Sequence, residues 1–454
     1  MEWVSKELAH VGLGDVRLDL RLMRIVEQMA KHAEQSLPEM SWGSWAETKA
    51  AYRFWSNDRI KWREILTPHL KRTAERAQAE PVVLVIQDNT EIDLSSHPAT
   101  KGLGYLASAR ARGLLAHTCL AVSETGVPLG VVDLMLWTRP LEQIGKRYHR
   151  SRPTAEKESQ RWLDGLAAIE RALPEHPHLV VVADREADFY DLFAASRPSR
   201  IDLLVRICRE ARSVNDPSGY LKQALAATPW AGELVVHVPR SRKHVARQAH
   251  LRVRFTTLTI LPPNDRRHHR GQQIPLSFVV VEEIDPPSGE KPIRWVLATT
   301  VAVMNLEQAC RVVSWYARRW TIERFHYTLK SGYGVERQQL ESLANVERFA
   351  ATLAIVAWRL LWLTYEAREH PNAPCTIILD RAEWETLDLW THRKHPQPLS
   401  MEPPTLGAAV QMIARLGGHL SRTRDGPPGV KTLWRGLARL SDLTEGYLLA
   451  THPP

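Results

Sequence analysis

The sequence predicts a mixed α/β core that carries an all-β insertion and is flanked by two helical modules. Three observations carry that expectation. Residues 1 to about 75 place apolar side chains at helical spacing. From about residue 80, short β-branched runs that end in aspartate alternate with a helical stretch. From about 230 to 300 the pattern is nearly all strand and turn, and long helices resume near Leu306. The order implies an N-terminal helical domain over 1–75, an α/β domain over 76–368 with its insertion at about 230–300, and a C-terminal helical domain over 369–454. A length of 454 residues suits two or three domains.

Each element has a local reason. In "LGDVRLDLRLMRIVEQMAKHA", Leu18, Leu22, Ile25, Val26 and Met29 share one face, with Asp15 in place to cap the helix. Arg17, Arg21 and Arg24 share a neighbouring face, which fits a DNA-docking surface or a solvated helix side. Ser44 and Glu47 then stand at capping-box spacing. "PVVLVIQD" reads as a strand ending in Asp88, and "HTCLAVSETGVPLGVVDLMLW" as two strands joined by a glycine-containing turn. A helix follows at 156–173, then "HLVVVAD", a buried strand ending in Asp184, and the strand "IDLLVRI". Phe349 to Tyr365 is the most apolar run, but it contains Arg359 and falls short of the ~20 residues a membrane span needs.

Composition narrows the function classes. The formal charge of +9 permits a polyanionic partner, and 16 tryptophans can stack on bases as well as fill cores. Cys119, Cys208, Cys310 and Cys375 form no C-x-x-C pair, so neither a zinc site nor a disulfide framework is expected, and a reducing cytoplasm fits. The insertion holds no acidic residue from Leu234 to Asn264, while Arg240, Arg242, Lys243, Arg247, Arg252 and Arg254 are present. A phosphate-tracking surface has that composition, and so does a solvated strand face. Arg266, Arg267 and Arg270 around His268 and His269 read as an exposed loop rather than a metal site.

The chemistry-bearing stretch is "YARRWTIERFHYTLK". As one helix it places Tyr316, Arg319, Glu323 and Lys330 within roughly 60° of one stripe, with Trp315, Trp320, Ile322, Phe325 and Leu329 around the rest. Alone, that fits a salt-bridged helix as well as a site. Asp88, Asp184 and Glu323 together are more telling. Three gathered carboxylates repel one another without a counterion, and Mg²⁺ takes carboxylates, waters and phosphate oxygens.

The spacing Tyr316-x2-Arg319-x3-Glu323-x6-Lys330 resembles the Y-R-E-K signature of bacterial cut-and-paste DDE transposases of the insertion-sequence-four group, and within it the transposon-five type. "GLGDVRL", "GSWAETKAAYRFWSN", "VVVADREAD" and "IARLGG" at 413–418 are similar to further motifs of that family, so the resemblance covers nearly the whole chain. It implies an RNase H-like catalytic core with an antiparallel β insertion. Asp88, Asp184 and Glu323 match the catalytic, metal-holding triad for two Mg²⁺ ions, with Mn²⁺ as a substitute. Tyr316, Arg319, Lys330, Arg206, Arg17 and Arg21 match DNA-binding positions, and Trp295 matches the tryptophan that handles a flipped base. Where the family often has Pro and Arg, this chain has Val16 and Leu18, which bears on the sequence it recognises. The resemblance implies double-stranded DNA partners, namely terminal inverted repeats and target DNA. It also implies a hairpin intermediate, a homodimer in the synaptic complex paired through the C-terminal segment, no membrane role and a bacterial cytoplasmic setting. In that segment Val430, Leu433, Leu437, Leu440 and Tyr447 form one amphipathic stripe, with Trp434 beside it. Two rival readings remain at this point: a non-catalytic DNA-binding regulator, and an RNase H-like nuclease without strand transfer.

Overall fold

The computed structural model describes residues 2–31, 44–145, 153–238, 247–264, 269, 271–331, 334–395, 397–422 and 425–451. Arg240, Arg242, Lys243, Arg266, Arg267, His268 and Arg270 lie outside the described residues. The chain divides into two units, one of residues 1–77, 89–146 and 321–454, the other of 78–88 and 147–320.

Among the described residues the first unit opens with the helices α1 Glu2–Glu7, α2 Val16–Lys31, α3 Trp45–Trp55 and α4 Trp62–Gln78. The apolar face expected for α2 is the one it buries: Leu22, Ile25, Val26 and Met29 are inaccessible. Asp15 caps it by accepting the Arg17 N–H at 2.9 Å. Ser44 likewise caps α3 by accepting from Glu47, but Glu47 turns its carboxylate to Arg21 of α2 at 2.6 Å and to Arg24 at 3.4 Å. A capping pattern in the sequence has become a tie between two helices.

The centre of this unit is α10, Leu343–Glu369, buried along most of its length. Trp55 of α3 packs on its Phe349, ring centroids 5.0 Å apart, and donates to Thr352 at 3.2 Å. Arg348 is buried and donates to the carbonyls of Trp55 and Ile60, both at 2.8 Å, which fastens the end of the N-terminal helices to α10. Strands β2 Gly104–Tyr105, β3 Arg112–Ser123 and β4 Pro128–Trp137 are antiparallel neighbours, and Trp358 of α10 donates to the Pro128 carbonyl at 2.9 Å. Gly130 of β4 has φ +149, and a Cβ there would run into Thr73 of α4. A glycine serves both the backbone angle and the close approach.

α11 Arg381–His392, α12 Leu406–Leu416 and α13 Val430–Thr451 complete this unit. They share a core of Leu387, Leu406, Ala409, Ile413, Leu433 and Leu440 with Leu363 of α10. The amphipathic stripe of α13 therefore faces its own domain: Val430, Leu433, Trp434 and Leu440 are buried, Leu437 packs against the same cluster, and the Tyr447 hydroxyl donates to Glu385 at 3.1 Å. The open side of α13 carries Leu443, Leu448 and Leu449 instead.

The second unit is built on β1 Val83–Asp93, whose residues 83–88 lie in it and whose residues 89–93 belong to the first unit beside β3. Here β1 pairs in parallel with β5 Leu179–Ala183, and β5 with β6 Ile201–Arg206. α5 Gln160–Ala172 precedes β5 and α6 Tyr190–Ala194 follows it. Parallel strands buried on both faces require near-continuous apolar runs, which "LVVVA" supplies. Neighbours β4–β3–β1 in one unit and β1–β5–β6 in the other make the mixed core RNase H-like. β6 then pairs antiparallel with β10 Arg294–Thr299, followed by β9 Ile274–Glu283, β8 Arg247–Ile260 and β7 Gly232–Val238, an antiparallel insertion where the sequence predicts one. α7 Leu221–Ala227 precedes β7, and α8 Leu306–Ala317 closes the unit.

The insertion is less of a cationic surface than its composition suggests. Register sets Arg252 opposite Glu282, which it meets at 2.9 Å; Arg254 approaches the same carboxylate, and Arg247 pairs with Glu283. The acids come from the next strand. All four cysteines are free thiols, and among the described residues no helix is long and apolar enough to cross a membrane.

Candidate active site and DNA-binding residues

Gln87 of β1 stands level with Ala183 of β5. The next residue on each chain is Asp88 and Asp184. Neighbouring strands lie about 4.8 Å apart and level residues of a parallel pair project from the same face, so the sheet sets these two carboxylates side by side. β1 runs on past Asp88, which is therefore inside a strand and not at its end. Asp184 leaves β5 and caps a one-turn helix, accepting the Glu186 N–H at 2.8 Å.

Cations gather beside this pair. Arg319 Nη1 lies 3.5 Å from Asp88 Oδ2, and the arginine is nearly buried. Tyr316, 3% exposed, lies within electrostatic reach of Arg206 at the end of β6. Burial pushes its phenol pKa up; Arg319 and Arg206 pull it down, and the nearby Asp184 carboxylate pushes it up again. The phenol stays protonated at neutral pH. Trp295 of β10, half-buried, meets the Tyr316 ring edge-on, with centroids 5.1 Å apart. Arg206 also donates to the Arg294 carbonyl at 3.1 Å. Thus Asp88, Asp184, Arg206, Trp295, Tyr316 and Arg319 come together within one unit.

One expectation is corrected. The stretch from Tyr316 to Lys330 is two helices, α8 ending at Ala317 and α9 Trp320–Ser331, with a turn at Arg318 and Arg319. The end of α8 tightens: Arg318 N–H reaches back to Trp315 and Tyr316, and Arg319 N–H bonds Tyr316 three residues behind. Arg319 is thereby in the turn rather than on a helix stripe. Trp320, expected as filler, is half exposed. Glu323 lies in the first turn of α9, and Lys330 near its end donates to Thr90 Oγ1 at 2.8 Å and to the Glu91 carbonyl at 3.4 Å. Both acceptors belong to β1, just past Asp88.

Sequence reasoning passed over Asp188, the second aspartate of "DREAD". It is 1% exposed; one oxygen accepts the N–H groups of Cys208 and Arg209, both at 2.8 Å, and the other pairs with Arg212. This locks the loop after β6 to the turn after Asp184. The signal was present, since a buried-strand motif with two aspartates four apart has one to spare for structure.

Asp88 and Asp184 present carboxylate oxygens, donors that suit a hard divalent cation and not a thiophilic one. Among the described residues no three His, Cys, Asp or Glu side chains are gathered closely enough to hold a metal ion. The Asp88–Asp184 pair is what the strand register itself provides, and its bordering arginines offset the repulsion between the two acids.

In the N-terminal helices, Arg17 stands exposed on α2 beside Asp15, while Arg21 is drawn into the tie with Glu47.

Residues 1–60 match the transposase DNA-binding family, residues 148–359 the transposase DDE domain, and residues 355–452 the transposase Tn5 dimerisation domain. A solved synaptic complex of piggyBac transposase with hairpin DNA is similar at 9% identity and a TM-score of 0.29, over 70% of this chain. The chain spans 58% of that protein's length, a likeness too loose to carry weight. The three matched segments are those of the DDE class of transposases. The chain belongs with the Tn5-type transposases, the group that its Y-R-E-K spacing resembles. A DDE domain implies dependence on a divalent cation.

Proposed function

We propose that this protein is a cut-and-paste DNA transposase. It binds the terminal inverted repeats of its element, nicks each end, passes through a hairpin on the transposon end and joins the freed 3′-hydroxyl to target DNA. The observation that carries the proposal is the pair Asp88 and Asp184, which follow the level residues Gln87 and Ala183 of neighbouring parallel strands, with Arg319 beside Asp88 and with Asp184 inside the segment matched to the transposase DDE domain.

In this reading Asp88, Asp184 and Glu323 hold two Mg²⁺ ions, or Mn²⁺ in their place, which supply activation of the attacking oxygen and neutralisation of the leaving one. Arg319 and Lys330 hold phosphates of the bound strand, as charge-assisted donors to anionic oxygens. Tyr316, kept protonated, donates to a phosphate oxygen. Trp295, half-buried beside it, offers a ring on which a displaced base stacks, offsetting the few kcal/mol of unstacking. Arg17 and Arg21 serve the terminal repeat. Domains 1–75, 76–368 and 369–454 divide the work into end binding, chemistry and pairing of two protomers. The four free cysteines suit action on nucleoid DNA in a bacterial cytoplasm.

The test is end cleavage by purified protein with Mg²⁺, on the inverted repeats that flank the gene. Asp88→Asn, Asp184→Asn and Glu323→Gln should each abolish nicking while end binding survives in a gel-shift. Nicking retained by Glu323→Gln would remove that residue from the triad. Pre-cut ends offered with target plasmid separate transposition from simple hydrolysis, since a nuclease gives no joined product.

A further inference from the structure

The side of α2 opposite its buried stripe carries a feature that phosphate binding leaves unexplained. Val16 is 70% exposed and Leu20 61%, and they stand one helical turn apart. Arg17, its side chain 89% exposed, and Arg24, 58% exposed, share that side with them. Isolated apolar residues on a surface are ordinary. Two branched apolar side chains flanked by two arginines, on the first turns of an amphipathic helix in a DNA-binding segment, are a specific surface. Arginine is the complement of guanine edges and phosphates in the major groove; valine and leucine are the complement of the one apolar group exposed there, the C5-methyl of thymine. The first turns of a docked helix are also where base edges are met.

We infer that Val16 and Leu20 read thymine methyl groups in the major groove of the terminal repeat, with Arg17 and Arg24 fixing the helix on the neighbouring guanine edges or phosphates. The inference rests on the reading of residues 1–60 as the DNA-binding segment. It makes the two apolar residues specificity determinants, acting without charge, and it assigns the preferred site at least one thymine in register with α2. Glu47 engages Arg21 and Arg24; the Arg17 guanidinium is paired instead with Asp15, through Nε at 3.1 Å and Nη2 at 2.8 Å, an exposed ion pair weak enough for a guanine edge or phosphate to displace.

The test uses the full-length protein and duplexes that it enriches from a random-sequence pool. Each duplex is prepared with thymine and again with uracil, which differs only in lacking the methyl. Wild type should bind the uracil form about fourfold more weakly per contacted methyl, the equivalent of one buried methylene. Leu20→Gln and Val16→Gln, at exposed helical positions that tolerate glutamine, should lose that preference and keep the salt dependence of binding. Arg17→Ala should do the opposite, lowering the salt slope and keeping the thymine preference. Equal affinity of wild type for the two forms overturns the inference while leaving end recognition intact. Failure to enrich any duplex overturns the DNA-binding reading, and this inference with it.

Discussion

Glu7→Gln should lower stability by about 3 kcal/mol at neutral pH and by less than half of that near pH 3. Glu7 ends α1 and is 4% exposed. Its carboxylate lies 2.5 Å from His69 Nδ1 and takes Arg76 Nη1 at 2.8 Å and Nη2 at 3.1 Å. His69 accepts the Val131 N–H at Nε2, at 3.0 Å, so its proton sits on Nδ1 and points at Glu7. Burial keeps the ring on the neutral side, lowering its pKa against the pull of Glu7. Burial alone would raise the Glu7 carboxyl, but the bond from His69 and the pair with Arg76 outweigh it and hold it at about 2, against an ordinary 4.5. At ~1.4 kcal/mol per pKa unit that is about 3 kcal/mol. Because the folded-state pKa is the lower one, the contribution is complete above about pH 4.5 and disappears as pH falls toward 2. Glutamine keeps the shape and leaves the Arg76 guanidinium without its counter-charge. Urea denaturation followed by circular dichroism, at pH 7 and at about pH 3, measures the gap between variant and wild type. A gap of the same size at both values would refute the charge argument, and no gap at pH 7 would refute the network.

Three further outcomes follow from the geometry. Trp295→Ala should spare first-strand nicking and depress hairpin formation several-fold, read on a denaturing gel; an equal fall in both, with a lower melting temperature, would make the ring a packing residue only. Leu437→Asp buries a charge against the α11–α13 core and should cost about 2–4 kcal/mol, visible as a drop in melting temperature. Leu449→Asp, at 59% exposure, should leave melting unchanged and remove the paired-end complex from a native gel; a normal paired-end band would clear the open side of α13 of a role in pairing.

Much was legible in the sequence because it is written locally. The 3.6-residue period of α2 named the side chains it buries, and Asp15 and Ser44 marked real helix starts. The run before Asp184 required a strand buried on both faces, and the change of texture near residue 230 marked the insertion. Asp88 and Asp184 were readable as the acids that follow two such runs. What the sequence could not contain was which segments meet. That Gln87 stands level with Ala183, and so sets the two aspartates side by side, is a property of strand register across nearly a hundred residues. The basic run of the insertion acquires its counter-charges from Glu282 and Glu283 for the same reason. The stripe of α13 was correctly found, but period alone does not say whether an apolar face meets its own domain or another protomer; the cluster with α11 and α12 decides for its own domain. The break at Arg318 and Arg319 was invisible because both residues favour helix. There tertiary contacts prevail: Arg319 lies against Asp88, and Tyr316 is packed on Trp295. Local propensities differ by tenths of a kcal/mol per residue, and a buried ion pair with an aromatic contact exceeds that easily.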